Sequence, residues 1–231
     1  MGKGKVVAII SGGPDSIGYA VLWKTRGYDI YPIVFNYGQK ASKEIEVAIR
    51  LSRILEFNEP KVVDISFMKR IWKGTQLTDE KVEIETDYTS SVVVPLRNAV
   101  FLTIAAIYAI SIGADKVIYG AQLNDTTPRP DTHEPRYPDC TPEFQYALQL
   151  ALNLGLFRGE RRLEIWSPAR ELLTKAELLK KTYSTIGDLI FETWSCYLSG
   201  EKHCGVCESC INRKKAFKDA GIPDKTPYMV K

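Results

Sequence analysis

The 231-residue sequence is poor in several residue types on which many active sites depend. It contains two histidines, three methionines and five cysteines. With so few imidazoles, we expect a site that works by positioning and electrostatics instead of histidine acid–base chemistry. The formal net charge is only +3, which suits anionic small-molecule substrates but is too small to indicate a nucleic-acid-binding protein.

Long apolar runs are also lacking. The longest, residues 99–113, contains Thr103 and Ser111 and is shorter than the roughly 20 residues that span a bilayer. It therefore predicts a buried helix. The amino terminus shows no apolar signal-peptide core, and Val6 stands where a myristoylation motif requires Ser or Thr. We expect a cytoplasmic protein that binds no membrane.

What the sequence does contain is a regular alternation of strand and helix patterns. Hydrophobic residues make up 45% and charged residues 26% of the chain, which suffices for a sizeable core. The alternation predicts an α/β fold with a doubly wound parallel sheet, right-handed crossovers and ligands at the carboxyl ends of the strands. Predicted strands cover residues 5–10, 29–35, 61–65, 116–119 and 163–166, and predicted helices include residues 17–23, 40–57 and 96–113.

A glycine-rich turn follows the first predicted strand, with the sequence Ser-Gly-Gly-Pro-Asp-Ser at residues 11–16. Small residues let backbone N–H groups approach a ligand, and the helix that follows directs its unpaired N–H groups to the same point. The spacing is neither that of a Walker A loop nor that of a dinucleotide fingerprint, and an ordinary turn is the alternative. The predicted nucleotide-binding residues are Ile10, Ser11, Gly12, Gly13, Pro14, Asp15 and Ser16.

Four of the five cysteines lie within fifteen residues: Cys196, Cys204, Cys207 and Cys210. Closely spaced thiolates are suitable ligands for a tetrahedral zinc ion, and a complete set of four leaves no open position for catalysis. We therefore predict one structural zinc per chain. The alternatives are a disulfide framework, a redox pair or an iron–sulfur site, and His203 could replace one thiolate.

Two stretches interrupt the alternation. Residues 73–91 are polar and acidic, and residues 122–142 hold five prolines. Long irregular segments after strands are usually functional or disordered. We expect both to lie beside the phosphate loop as a substrate lid, with solvated loops as the alternative.

The chain resembles the 7-cyano-7-deazaguanine synthases, the QueC (ExsB) branch of the pyrophosphate-loop ATPases, whose phosphate loop reads Ser-Gly-Gly-x-Asp-Ser. The resemblance covers nearly the whole length. It implies conversion of 7-carboxy-7-deazaguanine, ammonia and ATP into the nitrile, a precursor of the tRNA nucleosides queuosine and archaeosine, with one zinc per chain. It is carried by residues 10–16, 37–39, 94–98, 137–140 and 193–197, the clustered cysteines and Asn212-Arg213.

The implied chemistry defines what such a site needs. A carboxylate is a poor acyl donor because its leaving group would be oxide, so AMP is first transferred onto it and ammonia then forms the amide. A second adenylation, on the amide oxygen, turns loss of water into loss of AMP and gives the nitrile. The site must therefore neutralise phosphates, hold the heterocycle and exclude water.

Three charged residues are the candidate catalytic groups. Asp15 can hold magnesium or cap the loop. Arg97, before an apolar helix, can bind the substrate carboxylate with two hydrogen bonds, and Lys175, at the start of a later helix, can stabilise charge on the phosphates of magnesium-bound ATP. The alternatives are a surface arginine at a helix start and a solvated lysine inside a Thr-x-x-Glu capping box.

The candidate substrate-binding residues lie in three of the matching segments. Asp139 could pair with the ring N–H and amino group of a guanine-like base, or simply form a turn. Cys140, outside the cysteine cluster, could be a small buried residue, line the pocket or form a covalent thioimide. The full set is Tyr37, Gln39, Arg97, Asn98, Asp139 and Cys140.

We expect two structural units and small-molecule partners. Residues 1–190 form the predicted pyrophosphate-loop domain, and residues 191–231 a zinc-binding region packed on it. A homodimer is expected, without direct nucleic-acid binding. Two other functions stay open: a tRNA-thiolating enzyme of the same loop class, and a non-catalytic zinc-ribbon adaptor for nucleic acid. The adaptor needs a basic face, for which one helix offers Arg213, Lys214, Lys215 and Lys218, residues that also fit a solvated surface.

Overall fold

The computed structural model describes residues 3–156 and 162–230. Its centre is a five-stranded parallel sheet with the order β3-β2-β1-β4-β5. The strands are β1 (Gly4–Ile9), β2 (Tyr28–Asn36), β3 (Lys61–Asp64), β4 (Lys116–Ile118) and β5 (Glu164–Trp166). The helices are α1 (Pro14–Thr25), α2 (Lys43–Ile54), α3 (Arg97–Ser111), α4 (Pro142–Leu154), α5 (Lys175–Ile186) and α6 (Glu208–Asp219).

Helices cover both faces of the sheet, which confirms the doubly wound α/β prediction. Successive residues of a strand point to opposite faces. Val6 and Ala8 of β1 therefore pack in the core cluster that contains α1 and α2 residues. Val7 and Ile9 pack in the cluster formed with α3. Each predicted strand is present, and its ends differ from the prediction by at most one residue.

The strand order reverses beside β1. The chain moves outward from β1 to β2 and β3, then crosses back to place β4 on the other side of β1. Crossovers on the two sides of β1 run in opposite directions, so a crevice opens at the carboxyl ends of β1 and β4. Ligands of open α/β sheets bind at this position.

Helix α4 was not predicted. The Pro-rich segment was expected to reach residue 142, and no helix was predicted after it. The Thr141 side chain accepts a hydrogen bond from the Phe144 N–H (3.2 Å), and Pro142 occupies the first turn. A Thr-Pro pair before an apolar pattern is a helix-start signal, so the sequence held the information needed.

Helix α3 is a core helix. By length and composition the stretch Ser90–Ser111 is apolar enough to cross a membrane. Nevertheless Leu102, Ala105, Ala106 and Ala109 are buried against the sheet. This packing agrees with the buried helix predicted for this region.

The carboxyl-terminal region shares the core of the sheet domain. Trp194, Cys196 and Cys207 belong to the same buried cluster as β1 and α1. A smaller cluster joins α5 to α6 through Leu179 and Phe217. The region is thus packed on the sheet domain, while a domain boundary at residue 190 stays a prediction.

Arg213 corrects the expectation of a solvated basic face on α6. The side chain is 1% exposed. Its guanidinium donates to the hydroxyl oxygens of Thr226 and Thr193 (both 2.9 Å) and to the carbonyl of Ile190 (3.3 Å). A buried cation is tolerated only when its donors find partners, and here they tie α6 to the segments on both sides of it.

Replacing Arg213 should therefore destabilise the protein strongly. Arg213→Ala leaves a cavity and removes the partners of two buried hydroxyls, so we expect the free energy of unfolding to fall by roughly 3 kcal/mol or more. Denaturant unfolding of the metal-loaded protein measures it. Exposed Lys218 on the same helix gives the control, since Lys218→Ala should stay within about 0.5 kcal/mol. Equal losses in the two variants would contradict the assigned role.

Candidate active site

A cavity of about 700 Å³ lies at the carboxyl ends of the strands. Its walls come from the loop after β1, the segment after β2, the start of α3, the Pro-rich segment after β4, the start of α5 and the carboxyl-terminal region. This volume lies within the range typical of small-molecule sites. The topology thus brings together residues that are far apart in the sequence.

The loop after β1 is held in shape by its own serines. The Ser16 Oγ accepts a hydrogen bond from the Ser11 N–H (3.1 Å) and donates to the Gly13 carbonyl (3.2 Å). Gly13 is the N-cap of α1, and Pro14 stands in the first turn, as predicted. No side chain caps the helix start, and Pro14, Asp15 and Ser16 line the cavity, so the N–H groups of the first turn can serve an anion there.

The glycines of this region are required for close packing. Gly12 has a φ of +79°, and a Cβ there would lie 2.4 Å from the backbone oxygen of Glu44 in α2. A Cβ on Gly120, after β4, would lie 2.7 Å from the Ser16 nitrogen. Among the predicted loop residues, Ile10 and Gly12 lie outside the cavity wall and support the loop from behind, while the other five line the cavity.

Asp15 and Lys175 form an ion pair inside the cavity. The Lys175 Nζ lies 2.7 Å from the Asp15 Oδ2, and the side chains are only 20% and 22% exposed. Burial opposes the charge on Lys175, but the Asp15 carboxylate outweighs it and raises the pKa of the lysine. The capping box of Thr174 and Glu177 is present, yet Lys175 is not the solvated lysine that such a box allows.

Asp125 is a cavity residue that was not predicted from the sequence. Its two carboxylate oxygens accept hydrogen bonds from the backbone N–H (3.0 Å) and the side-chain amide (2.7 Å) of Gln122. Burial, reinforced by the nearby Asp15 charge, raises the pKa of Asp125 to about 7. The Asp15 Oδ1 is also buried and has no hydrogen-bond partner in the described part of the chain. The Gln-x-x-Asp spacing was the available signal.

Arg97 and Tyr37 meet on the other side of the loop. The Arg97 guanidinium donates to the Tyr37 hydroxyl (3.2 Å) and lies 5.9 Å from the centre of the Phe101 ring. Burial raises the pKa of Tyr37 to about 12, although the neighbouring Arg97 opposes the shift. Arg97 is therefore a cation in a mainly aromatic wall and not a solvated surface arginine.

Gln39 and Glu44 continue this wall. The Gln39 Oε1 accepts from the Tyr37 N–H (2.9 Å), and its amide nitrogen donates to the Phe35 carbonyl (3.1 Å) and the Glu44 Oε1 (2.9 Å). Burial raises the pKa of Glu44 to about 7, opposed by Arg97 and by the bond from Gln39. Glu44 was not predicted as a site residue, because an acidic residue in the first turn of a helix is common.

Asp139 supports the wall instead of lining it. The carboxylate is 8% exposed and accepts hydrogen bonds from the backbone N–H (3.0 Å) and side-chain amide (3.1 Å) of Asn98. It thereby caps the start of α3, whereas Asn98 and Cys140 do line the cavity. Burial raises the pKa of the Cys140 thiol, which disfavours a nucleophilic thiolate. The predicted contact of Asp139 with a heterocycle stays untested.

The four clustered cysteines form a group that could hold a metal ion. Their Sγ atoms lie within 4.8 Å of one another, and all five cysteines of the chain are free of disulfides. Backbone N–H groups of Leu198 and Cys204 donate to the Cys196 Sγ (both 3.4 Å). His203 stays outside the group, since its Nε2 accepts from the Ser195 N–H (3.2 Å).

Residues next to the cysteines reach into the cavity. The Tyr197 hydroxyl, beside Cys196, donates to the Glu208 Oε2 (2.7 Å). Glu208 follows Cys207, is buried, and lies 3.7 Å from the Arg136 guanidinium of the Pro-rich segment. The four clustered cysteines therefore adjoin one wall of the cavity without lining it.

The two irregular segments meet at this wall. The Tyr88 hydroxyl donates to the Arg136 carbonyl (2.5 Å), and the Arg136 guanidinium lies 4.2 Å from the centre of the Tyr88 ring. Arg136 and Tyr137 line the cavity, as does Leu77 from the first segment. Both segments thus border the site, as expected, and any movement as a lid stays a prediction.

Comparison with known proteins decides the family. A family model described as "Queuosine biosynthesis protein QueC" matches residues 5–221. The chain belongs to the QueC family. It is 38% identical over 230 residues to a 7-cyano-7-deazaguanine synthase of Caldicellulosiruptor bescii, covering 98% of both chains. It is 37% identical over 229 residues to that of Oceanobacillus iheyensis, covering 97% of this chain and 98% of the relative.

Membership in the QueC family confirms the resemblance read from the sequence and makes the chain an enzyme of that family. Among solved structures, a complex of a 4-thiouridine synthetase with RNA and bound ATP matches with a TM-score of 0.51 at 14% identity. The match covers 94% of this chain and 50% of the synthetase chain. At that identity the likeness shows a shared fold and nothing more.

Proposed function

We propose that this QueC-family chain converts 7-carboxy-7-deazaguanine, ammonia and ATP into 7-cyano-7-deazaguanine, through an adenylated carboxylate and an adenylated amide. The observation that carries the proposal is that the phosphate loop, Arg97 and Lys175 line one cavity together. A carboxylate bound by the arginine and a triphosphate bound by the loop would then meet at the same point.

Each group has a defined task in this reaction. Backbone N–H groups of the loop and the hydroxyls of Ser11 and Ser16 hold phosphate oxygens. The Lys175 ammonium stabilises the charge that develops on the departing pyrophosphate. Arg97 holds the substrate carboxylate in line with the α-phosphorus, and the aromatic wall beside it excludes water.

Magnesium fits the acidic side of the cavity. The Asp15 Oδ1 is buried without a protein partner, and Asp125 is close enough for the two charges to repel. Oxygen donors of this kind are preferred by Mg²⁺, which usually keeps several waters and binds through one or two carboxylates plus phosphates. We therefore assign Asp15 and Asp125 as the protein groups that would hold the ion of magnesium-bound ATP.

Zinc fits the cysteine group. A tetrahedral ion with Zn–S bonds of about 2.3 Å requires sulfur–sulfur separations of about 3.8 Å. The Cys204 and Cys210 Sγ atoms are 3.8 Å apart. Four thiolates leave no open coordination position, so zinc would support structure here and take no part in the reaction.

The alternative functions find less support. A thiolating enzyme of this loop class needs a cysteine pair outside the metal group, and Cys140 stands alone. A nucleic-acid adaptor needs a continuous basic face on α6, but Arg213 is buried. We accordingly propose no direct contact with nucleic acid, and a product that serves as precursor of a tRNA nucleoside.

A homodimer and a cytoplasmic location complete the proposal. Large apolar side chains remain exposed on α3 and α4, among them Ile107, Tyr146, Leu150 and Leu154. Exposed apolar patches of this kind mark interaction surfaces. The absence of disulfides among the five cysteines agrees with a reducing compartment.

ATP–pyrophosphate exchange tests the proposed function. Exchange of labelled pyrophosphate into ATP should require 7-carboxy-7-deazaguanine and should proceed without ammonia, because the first adenylation precedes C–N bond formation. Guanine, which lacks the carboxylate, is the matched control and should support none. Exchange with a tRNA and not with the heterocyclic acid would favour the thiolating alternative.

A further inference from the structure

Glu44 is a cavity carboxyl group that the steps above do not use. It stands in the first turn of α2 and lines the cavity. The Glu44 Oε1 accepts a hydrogen bond from Gln39, and among residues 3–156 and 162–230 no group donates to Oε2. One carboxylate oxygen is thus fixed, and the other is available to a ligand.

The surroundings of Glu44 hold it in one orientation. Both N–H groups of the Gln39 amide are engaged, one by Glu44 and one by the Phe35 carbonyl of β2, and its oxygen accepts from Tyr37. Gln39 therefore has no N–H left for a substrate, and its predicted contact with substrate stays a prediction. Its hydrogen bonds make it a positioning residue for Glu44.

Glu44 also lies beside the place where the acyl adenylate would form. The first turn of α2 packs directly against the phosphate loop. Any Cβ added at Gly12 would lie only 2.4 Å from the backbone oxygen of Glu44. On its other side the Glu44 carboxylate interacts with the charge of Arg97. Glu44 therefore contacts the phosphate loop through its backbone, while its side chain lines the same cavity as Arg97 and interacts with that cation.

The charges of this part of the cavity change when substrate binds. In the free protein the Arg97 guanidinium interacts with the carboxylates of Asp139 and Glu44, and it is the cation that opposes the Glu44 charge. A substrate carboxylate bound to Arg97 would neutralise the guanidinium and leave the Glu44 carboxylate without a counter-charge. A small cation that can donate hydrogen bonds is then favoured next to Glu44, and the ammonia source is such a cation, because ammonia is almost entirely protonated at neutral pH.

We propose that Glu44 binds this ammonium ion and accepts its proton, which releases ammonia beside the activated carboxyl carbon. The inference rests on the proposed function and deepens it. The N–H proton passes to the Glu44 Oε2. The nitrogen lone pair forms the C–N bond, the bond from carbon to the AMP oxygen breaks, and AMP leaves with that electron pair. The extra proton on nitrogen is then lost to water.

The environment of Glu44 suits a proton acceptor. A general base is most effective when its pKa lies near the working pH, and burial moves Glu44 in that direction. The groups that face it are the Arg97 cation, the Tyr37 phenol and the Gln39 amide. None of these three groups can accept a proton near neutrality, whereas the Glu44 carboxylate can.

Glu44→Gln separates this role from adenylation. With saturating ATP and 7-carboxy-7-deazaguanine, the ammonium-dependent rate of amide formation should fall roughly 100-fold or more. Carboxylate-dependent ATP–pyrophosphate exchange should stay close to that of the unmodified protein. Hydroxylamine is largely neutral at neutral pH and needs no deprotonation, so hydroxamate formation should be nearly equal in the two proteins.

Matched variants guard against a merely structural effect. Glu46→Gln changes an exposed acid on the same helix and should leave all three rates unchanged. Glu44→Asp keeps the carboxylate and should retain part of the ammonium-dependent rate, and thermal melting checks the fold of each variant. Equal losses with ammonium and hydroxylamine, or loss of exchange in Glu44→Gln, would overturn the assignment of Glu44 alone. Absence of exchange in the unmodified protein would instead overturn the proposed function.

Discussion

Asp15→Asn and Lys175→Ala should each lower turnover by a factor of about 100 to 1,000 while the protein keeps its fold. Both side chains face the cavity and are about one-fifth exposed, so the core loses no packing. Asp15→Asn removes a charge that holds Lys175 in place and a proposed ligand of magnesium. Lys175→Ala removes the cation beside the phosphates.

The measurement is turnover together with ATP–pyrophosphate exchange, and melting temperature reports the fold. Lys180→Ala is the control for the lysine variant, because Lys180 is exposed on the same helix α5. Raising the magnesium concentration should restore part of the activity of Asp15→Asn and none of that of Lys175→Ala. Unchanged turnover in both variants would mean that the glycine-rich segment is an ordinary turn.

The fold was predictable because its strands are short apolar runs bounded by turn residues. All five strands appear where the pattern placed them, since a parallel sheet buried on both faces leaves a continuous hydrophobic run. The order of the strands in the sheet, by contrast, could not be predicted from these runs. The apolar run at residues 116–119 does not indicate that β4 pairs with β1 instead of β3. This pairing depends on tertiary packing.

Motifs were predictable, whereas the residues that complete the site were not. The phosphate loop and the cysteine group each lie within a short span, so their spacing in the sequence already describes their geometry. Glu44, Asp125 and Glu208 reach the cavity only because the topology folds three distant segments onto one edge of the sheet. Glu44 and Glu208 look like common acidic residues near a helix start, and only the Gln-x-x-Asp spacing marked Asp125.

Local sequence also misled where tertiary contacts override it. Arg213 was predicted to lie with three lysines on a solvated face of one helix. Its side chain instead points inward and donates hydrogen bonds to two threonine hydroxyls. Asp139 follows Tyr-Pro, and its predicted contact with a substrate stays a prediction; in the structure the backbone N–H and side-chain amide of Asn98 donate to its carboxylate. A polar side chain can serve a ligand or the fold, and sequence pattern alone does not separate the two.

Cys210→Ser should remove the metal and with it the ordered carboxyl-terminal region. Cys210 is fully buried in the first turn of α6, and metal-binding free energy in closed thiolate sites is largely folding free energy. We expect about one zinc per chain in the purified protein and well under one in the variant. The free energy of unfolding should fall by more than about 3 kcal/mol.

Activity should be lost together with the metal, because Tyr197 and Glu208 adjoin the metal ligands and line the cavity. The control is Cys140→Ser, which changes a buried thiol outside the group and should keep the full metal content. Elemental analysis, melting temperature and near-ultraviolet circular dichroism, recorded on all three proteins, decide the outcome. A metal-free Cys210→Ser protein with an unchanged melting temperature and spectrum would show that the four cysteines do not support the fold through a metal.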